Sequence, residues 1–378
     1  MFHRPGYTPI LKGKFAEFEA LAKTSNETRK LLTPFIDIQP LECEKDHKGS
    51  LESHLIILAR RLRLCWGIKQ PLFLDTFYFE DGARMDDNRL PIALLLDELR
   101  QYKVKAIPVT NLNRDDFYNE AIEKAIRRDN RGACIRIFRE DMTFFDELPK
   151  KLRSLGKTLK VSPEETHIIL DFRRLTVPEL DDCLSLAINT INVLPKNLKS
   201  LAVAGSGLPK NLFKVEPFHS KSFLRTELML WKKLRNKTKW LVEKLSLADY
   251  GILSHELMNY NTTVIPAPKI RFTINDAIII LRGKKISSHP DGWKQFYRLA
   301  KILYQSNYFL MGGSSLANKK IEDCANSIGP SGTQKTWITI NTCQHIDFAV
   351  KQVSQQRIRK PTRRRVLYQT KLAWNLNP

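Results

Sequence analysis

The sequence lacks the patterns that identify several common enzyme classes. It contains no P-loop, no HExxH pair and no GxGxxG fingerprint after its first predicted strand, and Ser, His and Asp do not follow one another as in a serine hydrolase. These absences argue against a nucleotide-hydrolysing motor, a nicotinamide enzyme and a serine hydrolase.

Cysteine is also scarce, and long apolar runs are missing. The six cysteines form no CxxC pair, which favours free thiols over a disulfide framework or a zinc site. The N-terminal stretch MFHRPGYTPI has no apolar core, and no segment approaches the ~18 apolar residues of a membrane span. We therefore expect a cytoplasmic protein without a membrane partner.

Acidic residues are few relative to basic ones. The 62 Lys and Arg outnumber the 40 Asp and Glu and give a formal charge of +22. Such an excess favours a polyanion as partner, with nucleic acid ahead of an anionic membrane surface. The alternative is a basic protein kept soluble by its own charge. Residues 210–244, with interleaved aromatics, and a tail containing RIRKPTRRR carry much of this excess.

Eight short apolar runs alternate with helical patterns through the first two thirds of the chain. Runs of this length, too short for core helices, are typical of buried parallel strands. They are Thr8–Leu11, Leu32–Ile38, Leu72–Phe79, Lys105–Thr110, Ala133–Phe138, Thr166–Leu175, Ser200–Ala204 and Ala248–Ser254. Among the predicted helices between them, one covers Phe145–Leu155 with Pro149 inside it, and a longer helical region covers Ser222–Leu245.

The spacing of these runs indicates the fold. Most runs begin about 30 residues after the previous one, which is the length that one βα unit needs. A longer insertion precedes the last run. Eight such units predict an α/β fold of the (β/α)8 TIM-like barrel type over residues 1–258. A doubly wound sheet uses the same units and is the rival prediction.

The pattern changes after residue 258. Residues 259–350 predict a C-terminal extension, a β-hairpin around an Asn-Asp turn plus a helix over Asp291–Gln305. The remainder is predicted as a loop over Met311–Gly332, a short strand or turn at Thr336–Ile340, a short helix at Ile346–Val353, and a basic tail over residues 351–378.

Charged side chains follow the predicted strands where each one ends. In a barrel these ends meet at one mouth, where the active sites of such enzymes lie. The mouth residues, which we take as candidate catalytic groups, are Lys12, Asp37, Asp75, Arg136 and Asp171. Asp249 or Ser254, from the eighth run, is a further candidate for the mouth.

The three carboxylates allow two interpretations. Free carboxylates could bind Mg²⁺ or Mn²⁺ and support phosphoester cleavage, with Lys12, Arg136, Arg225 and Arg271 holding phosphate. Alternatively, each pairs with a neighbouring arginine, such as Arg136 or Arg173, in a structural ion pair. Lys210, at the end of GSGLPK after the seventh run, is a further phosphate-binding candidate.

Several short motifs resemble those of the Beta family proteins of bacteriophages, phage satellites and bacterial mobile elements. They are YTPILKGKFAEFEAL, TPFIDI, RTELMLW, DYG, KIRFT, ILRG and a late element from Trp337 to His345. The resemblance also picks out Arg225, Glu227, Asp249, Arg271, Arg282 and His345 as binding residues, besides Glu17, Tyr250 and several mouth residues. Where the family often has a histidine pair, this chain has Gln344-His345.

The resemblance implies a setting, in phage defence or inter-phage competition, rather than a reaction. Two hypotheses follow. The first is a nucleic-acid-binding barrel that is also a metal-dependent nuclease or phosphodiesterase. The second is a non-enzymatic regulator, or an antitoxin-like partner of a toxic protein encoded nearby. Unpaired carboxylates at the mouth would favour the first hypothesis, and ion-paired ones the second.

Overall fold

The structure is a computed structural model that describes residues 6–40, 49–80, 82–238, 244–257, 265–313 and 315–358. The predicted start of the extension at Asn259 and the basic tail beyond residue 358 lie outside these residues.

Eleven strands are present in the described residues. They are β1 (Tyr7–Leu11), β2 (Phe35–Asp37), β3 (Leu72–Asp75), β4 (Ala106–Asn111), β5 (Ala133–Phe138), β6 (Thr166–Arg174), β7 (Ser200–Ser206), β8 (Ser220–Leu224), β9 (Leu245–Asp249), β10 (Lys269–Thr273) and β11 (Ala277–Arg282).

The helices alternate with the strands of the barrel, and the later helices follow β11, the last of the described strands. They are α1 (Phe15–Lys23), α2 (Asn26–Arg29), α3 (Leu51–Cys65), α4 (Pro91–Gln101), α5 (Asp116–Asp129), α6 (Arg139–Met142), α7 (Leu148–Leu159), α8 (Leu180–Val193), α9 (Thr226–Lys237), α10 (Gln295–Tyr304), α11 (Asn307–Met311), α12 (Leu316–Ala325) and α13 (Gln334–Ile358).

Eight parallel strands close a barrel in the order β1-β2-β3-β4-β5-β6-β7-β9, and β9 pairs with β1. The (β/α)8 prediction is confirmed, and the doubly wound alternative is wrong because the sheet has no open edge. Alternating side chains divide each strand between two cores. One set, including Ile10, Phe35 and Ile169, fills the barrel, while the other packs against the surrounding helices.

The C-terminal extension is a three-stranded antiparallel sheet in the order β10-β11-β8. The predicted hairpin is therefore present, but a third strand joins it. This strand, β8, and then α9 replace the single helical region expected over Ser222–Leu245. The sequence gives no strand signal for β8 because this edge strand contains two serines and a lysine and is mostly exposed. An edge strand of this kind buries little apolar surface.

Helix α13 differs most from the sequence prediction. One continuous helix of 25 residues replaces the predicted turn at Thr336–Ile340 and the short helix at Ile346–Val353. Trp337 packs in the core of the extension, whereas Ile346, Ala349 and Val353 pack in the core outside the barrel. Its apolar residues serve two cores in different directions, so they do not form the single stripe that marks a helix.

Three other predicted boundaries are also wrong. The expected loop over Met311–Gly332 contains α12, whose start is capped by Ser315. The eighth run, predicted as Ala248–Ser254, is a strand that begins at Leu245 and ends at Asp249. Pro149 lies in the first turn of α7, which extends to Leu159 rather than Leu155.

No helix in the described residues has both the length and the apolar character needed to cross a membrane.

Two glycines in the loops that precede strands of the barrel provide a matched test of the local packing. Gly132 and Gly67 both have positive φ, +74° and +85°. An added Cβ at Gly132 would lie 1.9 Å from the Glu165 carbonyl oxygen, whereas one at Gly67 meets nothing within 4 Å. We expect Gly67→Ala to lower the free energy of unfolding by about 1–2 kcal/mol from backbone strain alone, and Gly132→Ala to lower it clearly more. Urea unfolding measures both, and equal losses would contradict the predicted clash.

Candidate functional site: the barrel mouth and its basic surroundings

The barrel brings the predicted carboxylates together. Asp37 and Asp75 end neighbouring strands and are direct partners in the β2–β3 register. Asp171 lies near the end of β6, opposite Phe138 of β5. All three side chains are buried, and Arg136 of β5, only 1% exposed, lies between them.

Arg136 binds all three carboxylates. Its Nη1 is 2.8 Å from Oδ2 of Asp75 and 3.2 Å from Oδ2 of Asp37. Its Nε and Nη2 are 2.9 and 2.8 Å from Oδ2 of Asp171. The guanidinium therefore crosses the barrel lumen and links strands that are 35 to 99 residues away in sequence.

Aromatic groups enclose the same guanidinium. Nη2 donates to the Tyr250 hydroxyl at 2.9 Å, and this hydroxyl donates to Oδ2 of Asp171 at 2.5 Å. The rings of Phe35, Phe77 and Phe138 have centroids 5.0, 5.5 and 4.9 Å from its central carbon. Arginine suits this position because it stays charged, can bind several carboxylates and can stack on rings.

One buried cation faces three carboxyl groups, and the pKa values reflect this imbalance. Burial raises the pKa of Asp37 to about 7; Arg136 opposes the rise and the neighbouring Asp75 adds to it. Burial likewise raises the pKa of Asp75, against the charges of Arg136 and Arg114. Oδ1 of Asp37 is buried without a hydrogen-bond partner in the described structure. Asp37 thus combines a raised pKa with a buried oxygen that accepts no hydrogen bond in the described structure.

The three carboxylates do not fit the role of metal ligands. The Arg136 guanidinium lies at the centre of the group, where a cation would have to bind, and it uses one oxygen of each carboxylate. Across the part of the chain that the structure describes, no group of three or more His, Cys, Asp or Glu could hold a metal ion. The geometry corresponds to the structural alternative of the sequence analysis.

The remaining mouth candidate, Lys12, and the phosphate-binding candidate Lys210 contact the same loop. Lys12 is buried, and its Nζ contacts the backbone carbonyl of Glu256. Lys210 is exposed and pairs with the Glu256 carboxylate at 3.1 Å. This loop thus anchors both lysines beside the mouth.

A second buried polar cluster lies outside the barrel wall. Asp249 has the outward orientation of Leu245 and Leu247 on β9. It accepts hydrogen bonds from the Tyr7 hydroxyl at 2.5 Å and the Gly251 amide at 2.8 Å, and it lies 3.2 Å from Nε2 of His345 on α13. Burial opposes its ionisation, but His345, Arg225 and Tyr7 together hold the pKa of the Asp249 carboxyl below its usual range.

Arg225 extends this cluster to the C-terminal sheet. Its Nη2 is 3.4 Å from Asp249, its Nε is 3.2 Å from Glu227, and its Nη1 donates to Gln352 of α13 at 2.9 Å. Burial raises the pKa of Glu227 to about 7 against the charge of Arg225. The structure thus places Arg225, Glu227, Asp249 and His345 together, at the joint between barrel and extension rather than at the mouth.

Arg271 and Arg282 lie on the C-terminal sheet and belong to neither cluster. Lys269, which the sequence analysis missed, is on the same sheet face and directly opposite Arg282. The signal was present in the segment KIRFT, because residues two apart on a strand share one face. The mouth also includes Tyr250, which the resemblance named, and Phe77, which no sequence argument identified.

Together these features define a TIM-barrel protein with an ion-paired mouth and a C-terminal sheet-and-helix extension. The chain belongs to the Beta protein family, whose model matches residues 7–351. This confirms the family resemblance, and the membership points to a phage-associated protein. A search of curated proteins found no match.

Removing Arg136 should strongly destabilise the barrel. Arg136→Met leaves three buried carboxyl groups without their shared cation, so we expect a loss of about 3–5 kcal/mol in the free energy of unfolding near neutral pH. The control is Arg173→Met at the half-exposed mouth rim, where the pair with Glu140 at 3.7 Å should be worth about 1 kcal/mol or less. Urea unfolding measures both, and similar losses would contradict the role of Arg136.

Asp37 should make the stability depend on pH. Its folded pKa of about 7 exceeds the ~3.9 of an unfolded aspartate, so its ionisation favours unfolding and stability falls as pH rises through this window. Asp37→Asn should reduce the difference between urea midpoints at pH 5 and pH 8. Asp87→Asn, at an exposed carboxyl whose hydrogen bonds with Arg89 lower its pKa, should leave that difference unchanged. An undiminished difference in Asp37→Asn would contradict the assignment.

Proposed function

We propose that this protein binds single-stranded nucleic acid across the face of the barrel that carries the mouth. The observation that supports this most directly is a set of exposed aromatic rings, each beside a cation. Phe117, Phe144 and Phe213 are 67%, 60% and 69% exposed. They follow β4, β5 and β7 respectively, so the topology brings them to the same face.

Each ring has a basic partner. Arg84 lies 5.8 Å from the Phe117 centroid, Lys151 6.0 Å from that of Phe144, and Arg282 5.8 Å from that of Phe213. Aromatic rings stack on unpaired bases regardless of sequence, and neighbouring cations hold the phosphate backbone. Rings buried in a core could not do this, so their exposure supports a binding surface.

The ion-paired mouth supports binding rather than cleavage at that point. A phosphoester reaction that used Asp37, Asp75 and Asp171 would require these groups to be released from Arg136. In the phage-associated setting, we propose that the bound strand belongs to an invading or competing element, within phage defence or inter-phage competition. The proposed compartment is the cytoplasm, where the free thiols of the five described cysteines persist.

A second candidate function is that of a non-enzymatic partner of a neighbouring protein, either as a regulator or as an antitoxin. A slot of about 530 Å³ between α7 and α8 favours it. The slot has an apolar floor that includes Leu152, Leu194 and Leu198, and a rim with Arg153 and Lys157. An acidic, amphipathic segment of a partner protein would match it.

Binding of short fluorescent single- and double-stranded DNA and RNA across a salt series tests the first proposal. We expect tighter binding of single strands, and an affinity that falls steeply between about 50 and about 200 mM salt because phosphate contacts release counterions. The double variant Phe117→Ala/Phe213→Ala should weaken binding about tenfold or more, at about 1–3 kcal/mol per stacked base.

The matched control is Leu64→Ala, an equally exposed apolar residue at the end of α3 and on the opposite side of the barrel. Equal affinity of the double variant and this control would refute the stacking surface.

The same experiment tests for cleavage. Binding without strand cleavage, with Mg²⁺ or Mn²⁺ added, agrees with the proposal. Metal-dependent cleavage that Asp75→Asn abolishes would instead support the nuclease hypothesis. No binding at low salt would leave the protein-partner alternative.

A further inference from the structure

A groove of about 180 Å³ lies between the C-terminal sheet and the loops that follow β7 and β9. Among the described residues, its walls carry six basic side chains and one acidic one. They are Lys12, Lys210, Lys269, Arg271, Arg282 and Lys285, with Glu256. The remaining wall is mostly apolar and includes Leu208, Leu212 and Ile252.

Strand alternation places three of the bases on one sheet face. Lys269 and Arg271 are two residues apart on β10, and Arg282 of β11 lies directly opposite Lys269. The alternate residues of β10, Ile270 and Phe272, point the other way, into the core of the extension. The bases are thus fixed by sheet geometry rather than carried on a loose segment.

These three charges have no acidic partner in the described structure. Glu256, the acidic residue that the described part of the groove contains, pairs with Lys210. Nη1 of Arg271 is buried and makes no hydrogen bond within the described ranges. Arg282 reaches two backbone carbonyls, those of Phe213 and Val215, at 3.4 and 3.2 Å.

The pKa values agree with a site short of negative charge. Burial lowers the pKa of Arg271 to about 10. Burial, together with the nearby Arg271 and Arg282, lowers the pKa of Lys269 to about 8. Lys269, Arg271 and Arg282 are each partly buried, and a charge withdrawn from water without an acidic partner is costly. Three such charges along one groove therefore favour an anion as the ligand.

We propose that this groove binds a phosphomonoester, the phosphate of a free nucleoside monophosphate or the terminal phosphate of a strand. A phosphomonoester carries about −1.5 to −2 at neutral pH and offers three acceptor oxygens, which suits arginine forks and a lysine better than a singly charged diester does. The volume is below the ~300–1,000 Å³ of usual ligand pockets. The groove therefore accommodates one end group rather than several nucleotides.

This site differs from the stacking surface of the proposed function, although Phe213 and Arg282 belong to both. Either can exist without the other, because a free nucleotide would satisfy the groove and an unphosphorylated strand would satisfy the rings.

Calorimetric titration with adenosine 5′-monophosphate, and with adenosine as the matched ligand, tests the groove. We expect the monophosphate to bind and adenosine to bind at least about tenfold more weakly. Arg271→Met and Lys269→Met should each weaken monophosphate binding about tenfold or more. Lys214→Met, at an exposed lysine of the adjacent loop that does not line the groove, should change it less than about twofold.

The pH profile distinguishes a monoester site from general charge attraction. Affinity should fall above about pH 8 as Lys269 loses its proton, and below about pH 6 as the phosphate gains one. The fall at high pH should disappear in Lys269→Met. Equal binding of adenosine and the monophosphate, or unchanged binding in both groove variants, would overturn the inference.

Oligonucleotides with 5′-phosphate and 5′-hydroxyl ends separate the two sources. Tighter binding of the phosphorylated strand, lost in Arg271→Met, identifies the strand end as the ligand. Binding of the free monophosphate with no preference between strands identifies the nucleotide. Monophosphate binding without any oligonucleotide binding would support the groove and refute the nucleic-acid proposal, and the reverse result would do the opposite.

Discussion

The structure depends on one buried cation. Arg136 extends across the barrel lumen and binds the carboxyl groups that end three other strands. Without it, like charges would repel one another in a site closed to water, and the mouth could not stay packed. Because the same contacts place the guanidinium where a metal ion would have to bind, the interaction that joins these strands also determines what the mouth can do.

A second set of buried contacts joins the extension to the barrel. Asp249 is held by Tyr7 of β1 and by His345 of α13, and Arg225 links it to Gln352. With the C-terminal sheet fixed in this way, its basic face borders the loops after β7 and β9 and forms one wall of the groove. The family positions near the C-terminus are thus divided between fastening the sheet and lining the groove.

Much of the fold was predictable from the sequence, because each buried parallel strand is a local apolar run and closure at eight strands follows from counting them. The position of the carboxylates was predictable for the same reason. Their pairing with Arg136 was left open, since the partners of an inward arginine depend on strand register across the lumen. Strand β8 and helix α13 were missed because their stability comes from tertiary contacts rather than from a local apolar pattern.

Strand β8 has a consequence for how the protein is divided. The chain leaves the barrel after β7, contributes β8 to the C-terminal sheet, and then returns to close the barrel with β9. A cut between barrel and extension in sequence would therefore separate strands that are bonded in space. Neither part is continuous in sequence, so the strand that closes the barrel follows the strand that completes the C-terminal sheet.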